Sequence, residues 1–148
     1  MCDEKKPGVM SVDDVNAFLE REFTQIIGRA SALRIEDVWH LGSRVRRTFS
    51  EKSLRPGGTI SGPTMMGLAD FAIYVTILGT IGPEALAVTT NLSINFLRRP
   101  AQRDLIAETR LIKLGKRLAV GEVEIYSEGQ DEMVAHATAT YSIPVNSQ

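Results

Sequence analysis

The sequence predicts an α+β domain in which one long antiparallel sheet wraps around a single buried helix, with an extra helix on the N-terminal side. Three observations predict it. Residues 63–79 read PTMMGLADFAIYVTILG, and a helix apolar around nearly its whole circumference belongs inside a protein. After that helix come four strand-like segments, 86–97, 104–113, 117–127 and 132–143, separated by short turns near Gly115 and Gly129-Gln130, the arrangement of antiparallel hairpins. Before it, Val12, Val15, Phe18, Leu19, Phe23 and Ile26 recur at helical spacing.

Taken in order, residues 1–10 read as a disordered polar end and 11–148 as a single domain. Ser11, followed by Asp13 and Asp14, caps a helix from about 12 to 27, with Gly28 as its stop. Residues 37–50 alternate as one strand, with Leu41, Val45 and Phe49 on one face and Arg44, Arg46 and Thr48 on the other. Arg55-Pro56-Gly57-Gly58-Thr59 is a loop. Pro63 suits the first helical position, and Gly79 with Gly82-Pro83 ends the buried helix. Met65-Met66 is core filling rather than a ligand pair. In segment 86–97, Leu86, Val88, Leu92, Ile94 and Phe96 share one face and Thr89, Asn91, Ser93 and Asn95 the other. Segment 117–127 sets Ala119, Gly121, Val123 and Ile125 against Glu122 and Glu124. Segment 132–143 brings Met133, Ala135, Ala137, Ala139 and Tyr141 together.

Composition narrows the function classes. The 148 residues are 43% hydrophobic and 24% charged, with a net charge of −1, which lacks the basic excess of a dedicated nucleic-acid binder. The one cysteine, Cys2, rules out an intramolecular disulfide and a cysteine metal cluster. His40 and His136 lie in separate expected strands with no further ligands at metal-binding spacing. No P-loop or dinucleotide fingerprint occurs. The first residues carry no apolar signal core, and the longest apolar stretch is broken by Gly67, Asp70 and Gly79. The expectation is a cytoplasmic, soluble protein without membrane contact.

Between Arg55 and Glu84 stands one charged residue, Asp70, inside the apolar helix. Burying a carboxylate is costly, so it must be paired, protonated or set in a cleft that uses it. Pattern alone leaves two readings open, a reactive carboxylate or one held by backbone or by a subunit contact. Gly62 precedes the helix. A helix N-terminus offers unpaired N–H groups and partial positive charge, which suits a developing oxyanion, and glycine permits close approach. A plain tight turn is the other reading of that residue.

The run Gly58-Thr59-Ile60-Ser61-Gly62, with Leu68-Ala69-Asp70 beyond it, resembles the hotdog-fold thioesterases of the phenylacetate-degradation type. Those carry G-x-x-H-G-G at the start of the central helix and an Asp or Glu eight residues after the first glycine of H-G-G, the spacing of Gly62 to Asp70. Residues 87–97 are similar to the family's second strand, 115–119 to its following hairpin and 137–141 to its last strand, so the resemblance covers about residues 36–143. In this chain Ser61 stands for the family histidine, and Arg55 for the asparagine six positions before it.

The resemblance implies a hotdog fold and hydrolysis of an acyl-CoA thioester, with coenzyme A as part of the substrate and no metal or redox cofactor. Asp70 would be general base or nucleophile, Gly62 the oxyanion donor, and Thr89 a residue that positions the attacking water. Ser61, Arg55 and Gly58 would line the substrate. Arg55 would pair with Asp70 or meet a phosphate, and Arg98, Arg99, Arg103, Lys113, Lys116 and Arg117 are basic groups suited to the phosphates of coenzyme A, with Arg98, Arg99, Lys116 and Arg117 the ones expected at the site. The site would be shared between subunits of a homodimer, or of a dimer of dimers, with strand 86–97 as the pairing edge. The alternative function is acyl-CoA binding without turnover, a consequence of the missing histidine. A hotdog hydratase is disfavoured because neither histidine lies in the matching segment.

Overall fold

The computed structural model describes residues 5–23, 32–84 and 86–144. Helix α1 spans Val12–Glu22. Its start is a reciprocal cap: the Ser11 hydroxyl accepts the Asp14 N–H at 3.1 Å, and the Asp14 carboxylate accepts the Ser11 N–H at 3.0 Å. Val15, Phe18 and Leu19 form its buried stripe. The Phe23 N–H closes the last turn on the Leu19 carbonyl. The continuation expected to 27, with Ile26 and the Gly28 stop, lies outside the described residues.

The single strand expected over 37–50 is instead part of a hairpin. Strand β1 (Leu33–Trp39) turns at His40-Leu41 into β2 (Gly42–Arg47). Two irregularities conceal it from a pattern reading. The register shifts between Ile35 and Asp37, which breaks the alternation. The turn places Leu41, rather than the adjacent Gly42, at φ 68°. A short hairpin follows, β3 (Leu54–Arg55) and β4 (Thr59–Ile60), around Gly57 and Gly58 at φ 100° and 77°.

Helix α2 runs from Gly62 to Ile81 with Ser61 as its N-cap, so Gly62 holds the first helical position and Pro63 the second. Gly79 does not end it. The helix passes through Gly79 and stops at Gly82, φ 106°. Gly79 is there because β1 crosses it, since a Cβ would stand 2.3 Å from Val38 Cγ2. Residues 5–10, expected to fray, dock at the same place. Val9 donates its N–H to the Gly79 carbonyl at 2.7 Å, His40 donates to the Lys6 carbonyl at 2.8 Å, and the Lys5 ammonium sits 3.7 Å from the centre of a Trp39 ring.

Strands β5 (Val88–Phe96), β6 (Leu105–Leu114), β7 (Leu118–Ser127) and β8 (Met133–Ser142) complete one antiparallel sheet in the order β1-β2-β6-β7-β8-β5. Its inner face is rich in small residues, Ala107, Ala119, Gly121, Ala135, Ala137 and Ala139, which let α2 lie close, its Leu68, Ile73, Ile77 and Leu78 fully buried. The apolarity of α2, enough in length and composition for a membrane span, is spent against this sheet, where most of it is buried. A polar seam fixes the helix to β2: Ser43 and Thr76 hydroxyls are 2.7 Å apart, and Thr76 also donates to the Ala72 carbonyl at 2.8 Å. On the opposite face of β2, Arg44 and Arg46 bind Glu36, Glu108, Asp104 and Glu128.

Candidate active site

Asp70 lies just short of the middle of α2, where the helix passes the β5–β8 edge of the sheet. Two hydroxyls meet its Oδ1. Thr89 donates at 2.5 Å and Tyr141 at 2.7 Å, and the Tyr141 oxygen also lies 3.1 Å from the Asp70 carbonyl. Oδ2 has no partner among the described residues. Among the described residues the carboxylate is therefore held at one oxygen only.

Thr89 reaches Asp70 because of a β-bulge. Regular alternation sets Thr89 on the face opposite Leu92, Ile94 and Phe96. In the structure the register shifts between Thr89 and Asn91, so Thr89 pairs with Tyr141 while Leu92 pairs with Ala139. Tyr141 and Ala139 are inner-face residues, and directly opposed residues share a face. The extra residue, Thr90, turns Thr89 inward, where its donor meets Asp70.

Tyr141 is a site residue that the sequence pattern does not single out: alternation groups it only with Met133, Ala135, Ala137 and Ala139. A buried tyrosine hydroxyl needs a partner, and Asp70 is the one charged residue on the helix beneath it, so the sequence carries the signal. Burial, foremost, and the Asp70 charge push the Tyr141 hydroxyl well above its ordinary range, against an opposing hydrogen bond with Thr89. It thus stays a donor. Tyr74 stacks on Tyr141 with ring centres 6.1 Å apart, and its own hydroxyl, pushed up to about 12 by burial and then by Glu84 and Glu22, donates to the Glu84 carbonyl.

Asp70, Thr89 and Tyr141 line a cleft of about 460 Å³ whose walls are otherwise mostly apolar, among them Phe23, Phe71, Tyr74, Ala87 and Val88. Such a cavity is of a size and character for a small organic group. One further charged residue lines it, Arg47.

The other expected site residues assemble elsewhere. Arg55, Gly62, Arg98 and Arg99 line a second cleft of about 510 Å³, with Phe96 and Leu97. Arg55 makes no ion pair with Asp70, since the two line different clefts. Gly62, at the helix start, keeps an N–H with no acceptor among the described residues. A Cβ there would come within 3.1 Å of Phe96 Cζ. Ser61 caps α2, accepting the Thr64 N–H at 3.3 Å with its hydroxyl 2.8 Å from that of Thr64. Gly58 forms the β3–β4 turn and accepts from Gln102 Nε2 at 2.8 Å. Lys116 and Arg117 lie in the β6–β7 turn, outside both clefts, at the end of the sheet where Leu118 and Val88 both pair with Ser142. Neither histidine lines either cleft, and His136 binds Glu122 at 3.1 Å.

Comparisons with known proteins agree with this architecture. The thioesterase superfamily matches residues 57–134, more than half of the chain. A protein of Saccharolobus solfataricus provisionally named an esterase is 30% identical over 136 residues, 91% of this chain and 87% of that one. A crystal structure of a provisionally named thioesterase from Silicibacter sp. TM1040 is 44% identical and superposes with a TM-score of 0.84, covering 95% of this chain and 96% of that one. The E. coli PaaI protein of the phenylacetic acid degradation operon shares the fold at 20% identity and a TM-score of 0.71, covering 88% and 96%.

Proposed function

Given that this chain belongs to the thioesterase superfamily, we propose that it hydrolyses an acyl-CoA thioester with Asp70 as the reactive carboxylate. The observation that carries the reading is the one-sided anchoring of Asp70, which lines a cleft fit for an acyl group with Oδ1 held by Thr89 and Tyr141 and Oδ2 without a partner among the described residues. As general base, Oδ2 takes a proton from water while the water oxygen adds to the thioester carbonyl carbon. Thr89, having donated to Asp70, retains a lone pair to receive that water. The tetrahedral oxyanion is stabilised by the Gly62 N–H and the start of α2. The C–S bond then breaks, and the proton passes to the departing thiolate. Direct attack by Oδ2 on the carbonyl carbon is the nucleophilic variant of the same site.

The chemistry requires a homodimer. Gly62 and Asp70 are eight residues apart on one helix, a rise of about 12 Å, too far for both to address one carbonyl. Strand β5 is at the edge of the sheet and exposes Val88 (55%) and Phe96 (49%), a liability that pairing removes. Antiparallel pairing of two β5 strands about Leu92, their middle, sets the Val88-Thr89 end of one copy beside the Asn95-Phe96 end of the other. Thr89 marks Asp70 and Phe96 marks Gly62, so the Asp70 of one subunit and the Gly62 of its mate come to one place, twice per dimer. The same operation brings Lys116 and Arg117 of one subunit toward Arg98 and Arg99 of the other, a basic rim for the phosphates of coenzyme A.

A second reading, acyl-CoA binding without turnover, is favoured by one observation: the Ser61 hydroxyl is committed to Thr64 as a cap, and a hydroxyl does not supply an imidazole's acid–base chemistry. Thioester hydrolysis measured over short, long, aliphatic and aromatic acyl-CoAs, with Asp70→Asn alongside, decides between them. Turnover lost in the variant upholds the enzyme; tight binding with no turnover in the wild type upholds the binder.

A further inference from the structure

We infer that Arg47 selects acyl groups that carry an anionic oxygen acceptor, a carboxylate, at the end distal to the thioester. The inference rests on the thioesterase reading of the Asp70 cleft and deepens it.

The inner face of β2 presents Ser43, Val45 and Arg47 in alternation. Ser43 and Val45 are fully buried beneath α2. Arg44 and Arg46 point to the other face, where their guanidinium groups bind carboxylates. Arg47 is thus a cation on the side of the sheet that packs the core, paired in register between Leu33 and Leu105. Its Nε is buried, and among the described residues Nε has no hydrogen-bond partner and no ion pair joins Arg47 to a carboxylate.

A guanidinium has five N–H donors, no acceptor, and no means of losing its charge by deprotonation. A buried donor left without an acceptor is unfavourable. The cleft does not relieve it: its walls are mostly apolar and aromatic, and the carboxylate it contains, Asp70, is held by Thr89 and Tyr141. No acceptor among the described residues meets it, and the proposed acceptor is one that arrives with the ligand. The cleft thus holds two groups of opposite charge among mostly apolar and aromatic walls, a carboxylate to act on the thioester carbonyl and a cation to receive the far end of the acyl group. Planar bidentate donation to a carboxylate is the arrangement arginine forms best. A methyl-ended acyl group leaves the donor unmet. Sites that hold a buried polar group discriminate strongly against ligands that cannot satisfy it.

The test uses the full chain with adipyl-CoA and glutaryl-CoA against hexanoyl-CoA and pentanoyl-CoA, pairs matched in carbon number. Wild type is expected to prefer the carboxyl-ended member of each pair by at least about tenfold in kcat/KM. Arg47→Met, which keeps the apolar stem, is expected to abolish or invert the preference. Arg47→Lys, which keeps the charge, retains part of it. Equal or better hydrolysis of the methyl-ended substrates by wild type overturns the inference, and needs no variant to fold. So does an Arg47→Met variant that loses activity on all four equally. If wild type hydrolyses none of the four, the thioesterase reading fails on these substrates, and calorimetric titration with the same compounds still decides the role of Arg47. Tighter binding of adipyl-CoA than hexanoyl-CoA, equalised in Arg47→Met, upholds it; equal binding overturns it.

Discussion

The Tyr141 hydroxyl stands 2.7 Å from Oδ1 of Asp70 and 3.1 Å from the carbonyl oxygen of the same residue. One phenol on β8 thereby fixes both the backbone and the side chain of the helix residue proposed to do the chemistry. Tyr141→Phe removes the hydroxyl and keeps the ring that stacks on Tyr74. The expected result is a fall in kcat with little change in KM and a stability loss of about 1 kcal/mol, read from steady-state kinetics and thermal melts.

Asp70→Asn separates chemistry from folding. The amide oxygen can still accept from Thr89 and Tyr141, so the melting temperature should stay close to that of the wild type. The amide nitrogen replaces Oδ2, and hydrolysis should fall on the order of a hundredfold or more. Undiminished turnover would remove Asp70 from the reaction, and a collapse in melting temperature would make it a structural group.

Ser61→Ala removes the cap of α2. Its expected effect is a loss of about 1 kcal/mol in stability with hydrolysis close to wild type. Ser61→His sets an imidazole beside the Gly62 N–H, and a rise in turnover is expected if the serine marks a site that has lost its histidine. Denaturant titration and the thioester assay read the two effects separately.

Val88→Glu with Phe96→Glu tests assembly. In the proposed pairing the two carboxylates face each other across the subunit contact, where like charges are unfavourable. Sedimentation equilibrium should show the wild type as a dimer or larger and the double variant as a monomer, with hydrolysis lost alongside. A wild type that is monomeric at micromolar concentration, yet active, would reject the shared site.

The acid limb of stability should report on Asp104. The Phe49 N–H at 2.7 Å, first, and then Arg46 hold its carboxyl below the usual range, more strongly than burial raises it. A pKa depressed in the folded state gives stability that is present above the unfolded value and lost as pH falls through the folded one. Melts recorded downward from pH 6 should therefore decline below about 4, and Asp104→Asn, less stable at neutral pH, should decline less steeply.

Most of the architecture was legible because apolar period and turn placement carry it. Helix α2, the four strands after it and the inner-face alternation of Ala119, Gly121, Val123 and Ile125 are matters of pattern. The departures have local causes that no period encodes. The β1–β2 hairpin was hidden by a bulge and by a leucine in a left-handed turn. Gly79, a stop by composition, is instead a point of close approach for β1. At the site, Asp70 stood out as the lone charge in an apolar run, whereas Tyr141 and Arg47 did not, because their importance lies in which side chains the topology brings near them.

Thr89 is followed by a second threonine, and the bulge gives that doubling a meaning at the level of the gene. With Thr90 extruded, Thr89 faces Asp70, while Thr90 donates to the Thr140 carbonyl at 3.1 Å. Deleting either threonine codon would leave a regular strand with a single threonine two positions before Leu92, again on the inner face. Straightening the bulge without any deletion would substitute Thr90 for Thr89 there. The tandem pair therefore buffers the Asp70 hydrogen bond against one-codon loss and against slippage of the strand, so descendants that differ in length at this point could retain the same contact.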